Sequence, residues 1–547
     1  MVFTLHRYIF RDLLKTFCLS ALVLSLILGL GVMLRPLRHF NVDPIRVPQL
    51  LLYTFPITLT MVIPIAALLS ATLNYGRLAY DNEINACRSS GISLLTLLYP
   101  ALVLALLVGM AAILLGFHII PSFTEDFETL IRSDAKSIVF RNIEQKGNLG
   151  DLLPDYRVYA DYADASKNLL SGVAVLKLSH NEVEEITTAQ QVQINFLRQN
   201  PQSDQIALRL INARTVINNY SADIGDTTIY IPVPSLWQDE IKFKKLAQMK
   251  AIERDMTLFQ PINKILTDIR RQFMAESFFQ WCDQQFRRQG YVDLNQSAGG
   301  RLRLFAAGCR RYMEKTSAAD PGRKTSTAVL TGADAAAVQV LQFNRSEQLN
   351  PNKTYRTDDA RLSVRFQSST PVLILEMKNV RAAYANEVNV SNHRRYDLYD
   401  IAFPKNFITQ GQALSLNDQV LRDVVPLPYD PPTPYLLSLY KKIKGQCLEL
   451  SAEIRAELHT RLAFGVSCIV LVLTGAALGI VFRSGHLLTA FGISFIPATF
   501  CLITIFTGKH IAEQNPADIT GGIVFLWSGI VTVAAINLVI YKLLLKR

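Results

Sequence analysis

Residues 76–91 read GRLAYDNEINACRSSG, a short charged insert between two of the most apolar stretches of the chain, 50–73 and 94–117. Neither stretch contains Asp, Glu, Lys or Arg. Four further windows share that character, at 17–34, 462–482, 487–507 and 519–541. Each is close to the roughly 20 residues a helix needs to cross about 30 Å of hydrocarbon. In a chain of 547 residues that is 50% apolar and only 18% charged, such runs predict six membrane helices rather than buried core helices.

The opening MVFTLHRYIFRDLLKT carries a basic flank, but the apolar run after it is long and no small-residue cleavage pattern follows. An uncleaved first helix is expected, not a signal peptide. Lys and Arg in the short loops set orientation. One side holds Arg7, Arg11, Lys15, Arg77, Arg88, Arg483, Lys542, Lys546 and Arg547, and the other Arg35, Arg38, Arg46 and Lys509. Nine against four predicts both termini in the cytoplasm. Three helices then precede the region from 118 to about 461 and three follow it, so that region is expected outside the cytoplasm.

The outer region begins with an expected helix near 122–140 and then alternates apolar and polar residues, the mark of half-buried strands. GVAVLKL (172–178) and QVQINFL (191–197) are examples. The pattern recurs: 187–214 and 355–381 share the alternation, with Val192, Ile194 and Phe196 matching Leu362, Val364 and Phe366, and endings Asn-Ala-Arg and Asn-Val-Arg. Two related β units, or two halves of one β structure, are implied. Between them, 236–315 reads as helix and 316–335 as linker. PLPYDPPTPY (426–435) is a hinge that leads into a helix from 434 to 461.

Much chemistry is missing from the sequence. It contains no G-x-x-x-x-G-K-[ST] phosphate loop, no H-x-x-x-H pair, no Cys-x-x-Cys and no G-x-S-x-G. No metal site or catalytic residue is expected, and any ATP would be hydrolysed by a partner. The charge-free windows argue against an ion-driven transporter. The net charge of +11 is scattered rather than gathered in one stripe, so nucleic acid is not an expected partner. Cys282 and Cys309 are a candidate disulfide in an oxidising compartment, and two buried thiols are the equal alternative.

The charges of the opening insert make sense on a short amphipathic helix over 77–91, with Tyr80, Ile84 and Cys87 at four and three spacing on one side. A solvated turn is the plainer reading. The sharper one is a coupling helix that docks on a cytoplasmic motor, with Glu83 offered to a partner cation and Arg88 beside it.

Asp81-Asn82-Glu83-Ile84 and Arg88-Ser89-Ser90-Gly91-Ile92-Ser93 resemble the segment between the second and third membrane helices of the LptF/LptG (YjgP/YjgQ) permease family. Pro64 with Ile65-Ala66-Ala67-Leu68-Leu69, and Ala456-Glu457-Leu458-His459-Thr460-Arg461-Leu462-Ala463, extend the resemblance, which covers 1–135 and 434–547. It implies a polytopic α-helical membrane protein of the inner membrane, six transmembrane helices arranged 3+3, with a large periplasmic β-jellyroll-like domain carrying a helical insert. The expected divisions are 1–121 with the coupling helix, 122–235 as a jellyroll-like unit, 236–335 as insert and linker, 336–430 as a second β unit, and 431–547.

The resemblance further implies a permease subunit of an ABC-type lipopolysaccharide exporter. Its partners would be an LptB-like cytoplasmic ATPase dimer that hydrolyses ATP with Mg, a second LptF/LptG-type permease, and LptC/LptA-like jellyroll proteins. Glu83 would then touch the ATPase, and Arg35 and Arg38 would meet lipid phosphates, which arginine can pair bidentately. Helix-end anchoring is the alternative for both. Val192, Ile194 and Phe196 would line a trough for acyl chains, against ordinary β-core packing. The size of the outer region departs from the family. The rival functions are an envelope scaffold or assembly protein that does not transport, and a mechanotransmitting ABC permease that does not move lipid.

Overall fold

The structure, a computed structural model, describes residues 2–40, 47–124, 140, 143–144, 147, 156–164, 166–179, 182–197, 205–217, 220–232, 240–296, 299–312, 326–332, 337–343, 351–367, 370–384, 390–412, 434–482 and 487–546. The chain divides into two compact units, Met1–Asp255 with Cys447–Arg547, and Met256–Gln446.

The first unit holds helices α1 (Val2–Phe40), α2 (Val47–Tyr80), α3 (Glu83–Ser89) and α4 (Leu94–Leu114), the last running on through a π-helical turn, Leu115–Ile119. After the outer region come α8 (Pro434–Val481), α9 (Leu487–Gln514) and α10 (Ile519–Lys546). Among the described residues six helices are long and apolar enough to cross a membrane, and each overlaps one of the charge-free windows. Their exposed faces are leucine-rich, as at Leu19, Leu30 and Leu538. Their buried faces are lined by small residues such as Ala66, Ala67, Ala463 and Ala476. Lipid is as apolar as leucine, so membrane helices associate through close packing of small side chains. At Gly479 the approach leaves no room for a side chain, since a Cβ there would lie 2.8 Å from the backbone nitrogen of Gly76 on α2.

The first unit also contains a five-stranded antiparallel sheet in sequential order, β1 (Tyr156–Asp164), β2 (Leu169–Ser179), β3 (Glu182–Leu197), β4 (Gln205–Ile217) and β5 (Tyr220–Pro232). One face buries Val158, Leu170, Val173, Val192, Ile194, Leu208 and Leu210 against Phe140 and Ile143. A short helix, α5 (Leu246–Arg254), follows. The expected helix near 122–140 continues α4 as far as Thr124, and 125–139 lie outside the described residues.

The second unit packs α6 (Gln260–Gln289) and α7 (Lys405–Gln412) onto a nine-stranded sheet. Its strands are β6 (Tyr291–Asn295), β7 (Arg301–Phe305), β8 (Gly308–Tyr312), β9 (Ser326–Thr331), β10 (Val338–Phe343), β11 (Lys353–Thr357), β12 (Asp359–Gln367), β13 (Thr370–Tyr384) and β14 (Ser391–Ala402). β11 and β12 lie end to end along β13, in one register from Lys353↔Tyr384 to Gln367↔Thr370. The sheet therefore opens into two arms, β10-β7-β6 and β9-β8, while β14 pairs the other side of β13. An isolated bridge, Gln296↔Ile401, brings the end of β6 to β14. Phe278, Phe279, Cys282 and Phe286 of α6 fill the core over Leu302, Leu304, Val340, Leu362 and Leu375.

Two sequence expectations need correction here. The insert does not stay helical to 315, and 316–335 is not all linker. α6 stops at Gln289 because Gly290 adopts a left-handed cap, φ 78°. From Tyr291 the text alternates, burying Val292 and Leu294, then Leu302 and Leu304. The second β unit thus begins at 291 instead of 336, includes β9 in the expected linker, and shares its core with the helix.

The suspected internal repeat has a backbone signature. Asn212 on β4 and Asn379 on β13, the asparagines of the matching Asn-Ala-Arg and Asn-Val-Arg endings, are both left-handed, φ 54° and 51°. Asparagine is among the few residues that tolerate this conformation. Each is followed by a buried residue, Ala213 or Val380, and then an exposed arginine, Arg214 or Arg381.

Candidate functional site

The elbow between α2 and α4 is built to be rigid. After Tyr80 the chain turns through Asn82, left-handed at φ 58°, whose side chain accepts a hydrogen bond from Asn85 (3.1 Å). Ile84 is buried among Leu94, Leu97 and Leu98, with Cys87 packed at the edge of the same core. Ser93 caps α4 by accepting from the Thr96 amide (3.3 Å). The expected helix over 77–91 is therefore shorter, Glu83–Ser89, and Tyr80 is no part of its apolar side. It ends α2 and is exposed, because the left-handed Asn82 breaks the four-residue spacing to Ile84. Glu83 is half-buried, and Asn85 and Arg88 are exposed.

Three contacts tie the elbow to its neighbours. Arg77 Nη2 pairs with Asp12 Oδ2 of α1 at 2.9 Å and donates to the Tyr8 hydroxyl at 3.2 Å. The Tyr75 hydroxyl donates to the Leu97 carbonyl at 2.8 Å. His6 Nε2 lies 2.9 Å from the Thr96 carbonyl, its ring against Tyr99. These contacts fasten the elbow ends of α2 and α4 to each other and to α1.

A second cluster was not foreseen from sequence. On α8, Glu457 accepts from Arg461 Nε (2.9 Å) and from Lys509 Nζ of α9 (2.6 Å). Arg461 also donates to the carbonyls of Lys244 (3.1 Å) and Lys242 (2.9 Å), in the segment that joins the first sheet to α5. Its guanidinium lies 5.4 Å from the ring of Phe117, inside the π-helical turn of α4. Glu457 and Arg461 are buried. Burial of paired charges at a membrane helix end marks a functional or organising site. Arg461 and Lys509 sit just beyond charge-free windows, which disguised them as helix ends; the i, i+4 spacing of Glu457 and Arg461 was the available signal. α10 is fastened to α8 as well, through Trp527 Nε1 to His459 Nδ1 (3.3 Å) and Asn537 Nδ2 to the Val470 carbonyl (3.0 Å).

The other expected site residues fall as follows. Arg35 and Arg38 lie on the last turns of α1, with their side chains outside the described residues. Val192 and Ile194 are fully buried in the inner face of the first sheet, and the Phe196 side chain lies outside the described residues. Cys282 and Cys309 are buried together in the second unit as free thiols with no disulfide between them. Burial, with Cys309 and Asp283 adding to it, pushes the Cys282 thiol well above its ordinary range.

Six membrane-length helices in two sets of three, a charged elbow between the second and third, and a β-rich region between the sets form one recognisable plan. The chain matches the family described as lipopolysaccharide export system permease LptF/LptG over residues 7–278 and 314–543. It belongs to that family. No individually curated protein matches it. LptF/LptG membership makes the chain a transport component of lipopolysaccharide export, not itself an enzyme. The match extends through most of the outer region and omits 279–313, which carries the end of α6 and strands β6, β7 and β8. Those strands supply both outer ends of the nine-stranded sheet.

Proposed function

We propose that this chain is a permease subunit of a lipopolysaccharide exporter in the inner membrane, with both termini and α3 in the cytoplasm and the β region in the periplasm. A separate ATPase, an LptB-like dimer, supplies the energy, and a second LptF/LptG-type permease completes the membrane cavity. The observation that carries this reading is the elbow: α3 is anchored by Ile84 to the helix core yet leaves Glu83, Asn85 and Arg88 accessible. Such a part accepts force and passes it to three membrane helices. Glu83 pairs with a cation of the ATPase, and Arg35 with Arg38 holds lipid phosphates at the outer end of α1. The lipid then leaves along the first sheet towards LptC/LptA-like jellyroll partners.

The burial of Val192 and Ile194 makes them packing residues of that sheet at rest, so acyl chains reach them only if the sheet opens. Glu83→Arg should release the ATPase from the detergent-purified complex. Copurification at the wild-type level would remove the docking role from Glu83.

A further inference from the structure

Of the chain's net +11, a net +9 belongs to residues 256–446, which hold 26 Lys and Arg against 17 Asp and Glu. On the outer face of the second sheet three of these cations and three of the acids are set against one another, in rows that cross its strands. One row joins Asp359, Lys378 and Arg395, the next Arg361, Glu376 and Asp397. They interlock through Arg361–Asp359 (3.3 Å), Lys378–Asp359 (3.8 Å), Arg395–Glu376 (3.6 Å) and Arg395–Asp397 (2.9 Å).

A third row lacks an acid. Arg356 of β11, Arg381 of β13 and Asn392 of β14 stand in register, all exposed, with Arg394 and Asp358, also exposed, each two residues along. Among the described residues neither Arg356 nor Arg381 has an ion pair or side-chain hydrogen bond. Like charges directly opposite one another destabilise a ladder. The repeated hairpin provides the comparison. Arg214, at the position equivalent to Arg381, stands in register with Thr188 on one side and the acid Asp223 on the other. In the second copy an arginine replaces the threonine and an asparagine replaces the acid.

Residues opposite one another in a ladder have Cα atoms roughly 4.5–5.5 Å apart, so both guanidinium forks can reach a single anion. A carboxylate would neutralise only one of them. A phosphate monoester carries about −1.5 to −2 and three acceptor oxygens, enough for both. We propose that Arg356, Arg381 and Asn392 form a binding site for the phosphorylated sugar headgroup of the exported glycolipid, which rests on the reading of the chain as a lipopolysaccharide permease.

The test places a benzoylphenylalanine crosslinker at exposed Ala383, beside Arg381, in the full chain expressed in lipopolysaccharide-producing cells, and separately at position 35. Ultraviolet light should attach phosphorylated glycolipid at both. Arg356→Gln with Arg381→Gln should lower capture at 383 at least tenfold and leave capture at 35 unchanged. With purified full chain in detergent, phosphatase-treated glycolipid should label 383 at least tenfold less than untreated glycolipid. Equal capture by the double variant, equal labelling by the treated lipid, a protein adduct at 383, or capture at 35 alone each overturns the site and leaves the transport reading standing. Capture at neither position overturns both.

Discussion

Glu457→Gln preserves the shape of the side chain and removes the charge that holds buried Arg461 and half-buried Lys509 together. In the native chain the carboxylate, only 8% exposed, receives Arg461 at 2.9 Å and Lys509 at 2.6 Å. After the change, Arg461 keeps the carbonyls of Lys242 and Lys244, and Lys509 keeps Glu513 at 3.6 Å. Breaking a buried pair by removing one partner costs about 3–5 kcal/mol. The retained carbonyls, and a Lys509 side chain that is 20% exposed, place the expected loss near the lower figure, about 3 kcal/mol. An unfolding entropy of about 2.1 cal/mol/K per residue over the roughly 350 residues of this unit gives about 0.7 kcal/mol per degree. The melting midpoint should therefore fall by about 4 °C. Tryptophan fluorescence of the purified full chain in detergent is a suitable assay, because Trp527 is bonded to His459, two residues from Glu457. Lys509→Met should be strongly non-additive with Glu457→Gln, since the two share one interaction. A fall under about 1 °C, or simple additivity, would refute the reasoning.

Replacing Asn379 by Val forces a β-branched residue into the left-handed region and should cost about 1–2 kcal/mol, whereas Asn379→Gly should be close to neutral; equal melting of the two variants would contradict the repeat's backbone signature. Gly508→Val puts a side chain onto the backbone of Leu526, where a Cβ already lies 2.5 Å from the nitrogen, so the α9–α10 pair should separate and the variant should be degraded in cells; wild-type abundance would argue against that contact. The raised Cys282 thiol stays protonated through pH 8, so iodoacetamide should leave it unlabelled in the folded chain. After denaturation without reductant both Cys282 and Cys309 should label, and failure of both to do so would reveal a disulfide.

The membrane half of the fold was legible because lipid imposes one rule, that a spanning helix carries no unpaired charge, and charge-free windows of the right length follow from it. The same rule concealed the Glu457 cluster. Arg461 and Lys509 each end a window, and nothing in a one-dimensional pattern says that two ends on different helices meet. Ile84 was legible as an anchor from its spacing, whereas Tyr80 was misplaced by a single left-handed residue. In the outer region the helix α6 and the strand faces at Val192 and Leu362 were readable from periodicity. The short strands β6 to β9 were not, because five- and six-residue segments among Gly and Ala carry too few alternations to outweigh a preceding helical run. The left-handed asparagines turned a weak textual likeness into a structural one, since a shared ending matters more when both copies bend the backbone the same way.

The π-helical turn at Leu115–Ile119 has a mechanical meaning. A π-turn holds one residue more than the α-helical turn it replaces, so α4 carries a length of slack between the elbow at one end and the Phe117–Arg461 contact at the other. Letting that residue out or taking it in changes the helix by about 1.5 Å and turns everything beyond it by about 100°. A change of register at this turn is thus a single step open to α4 within one helix.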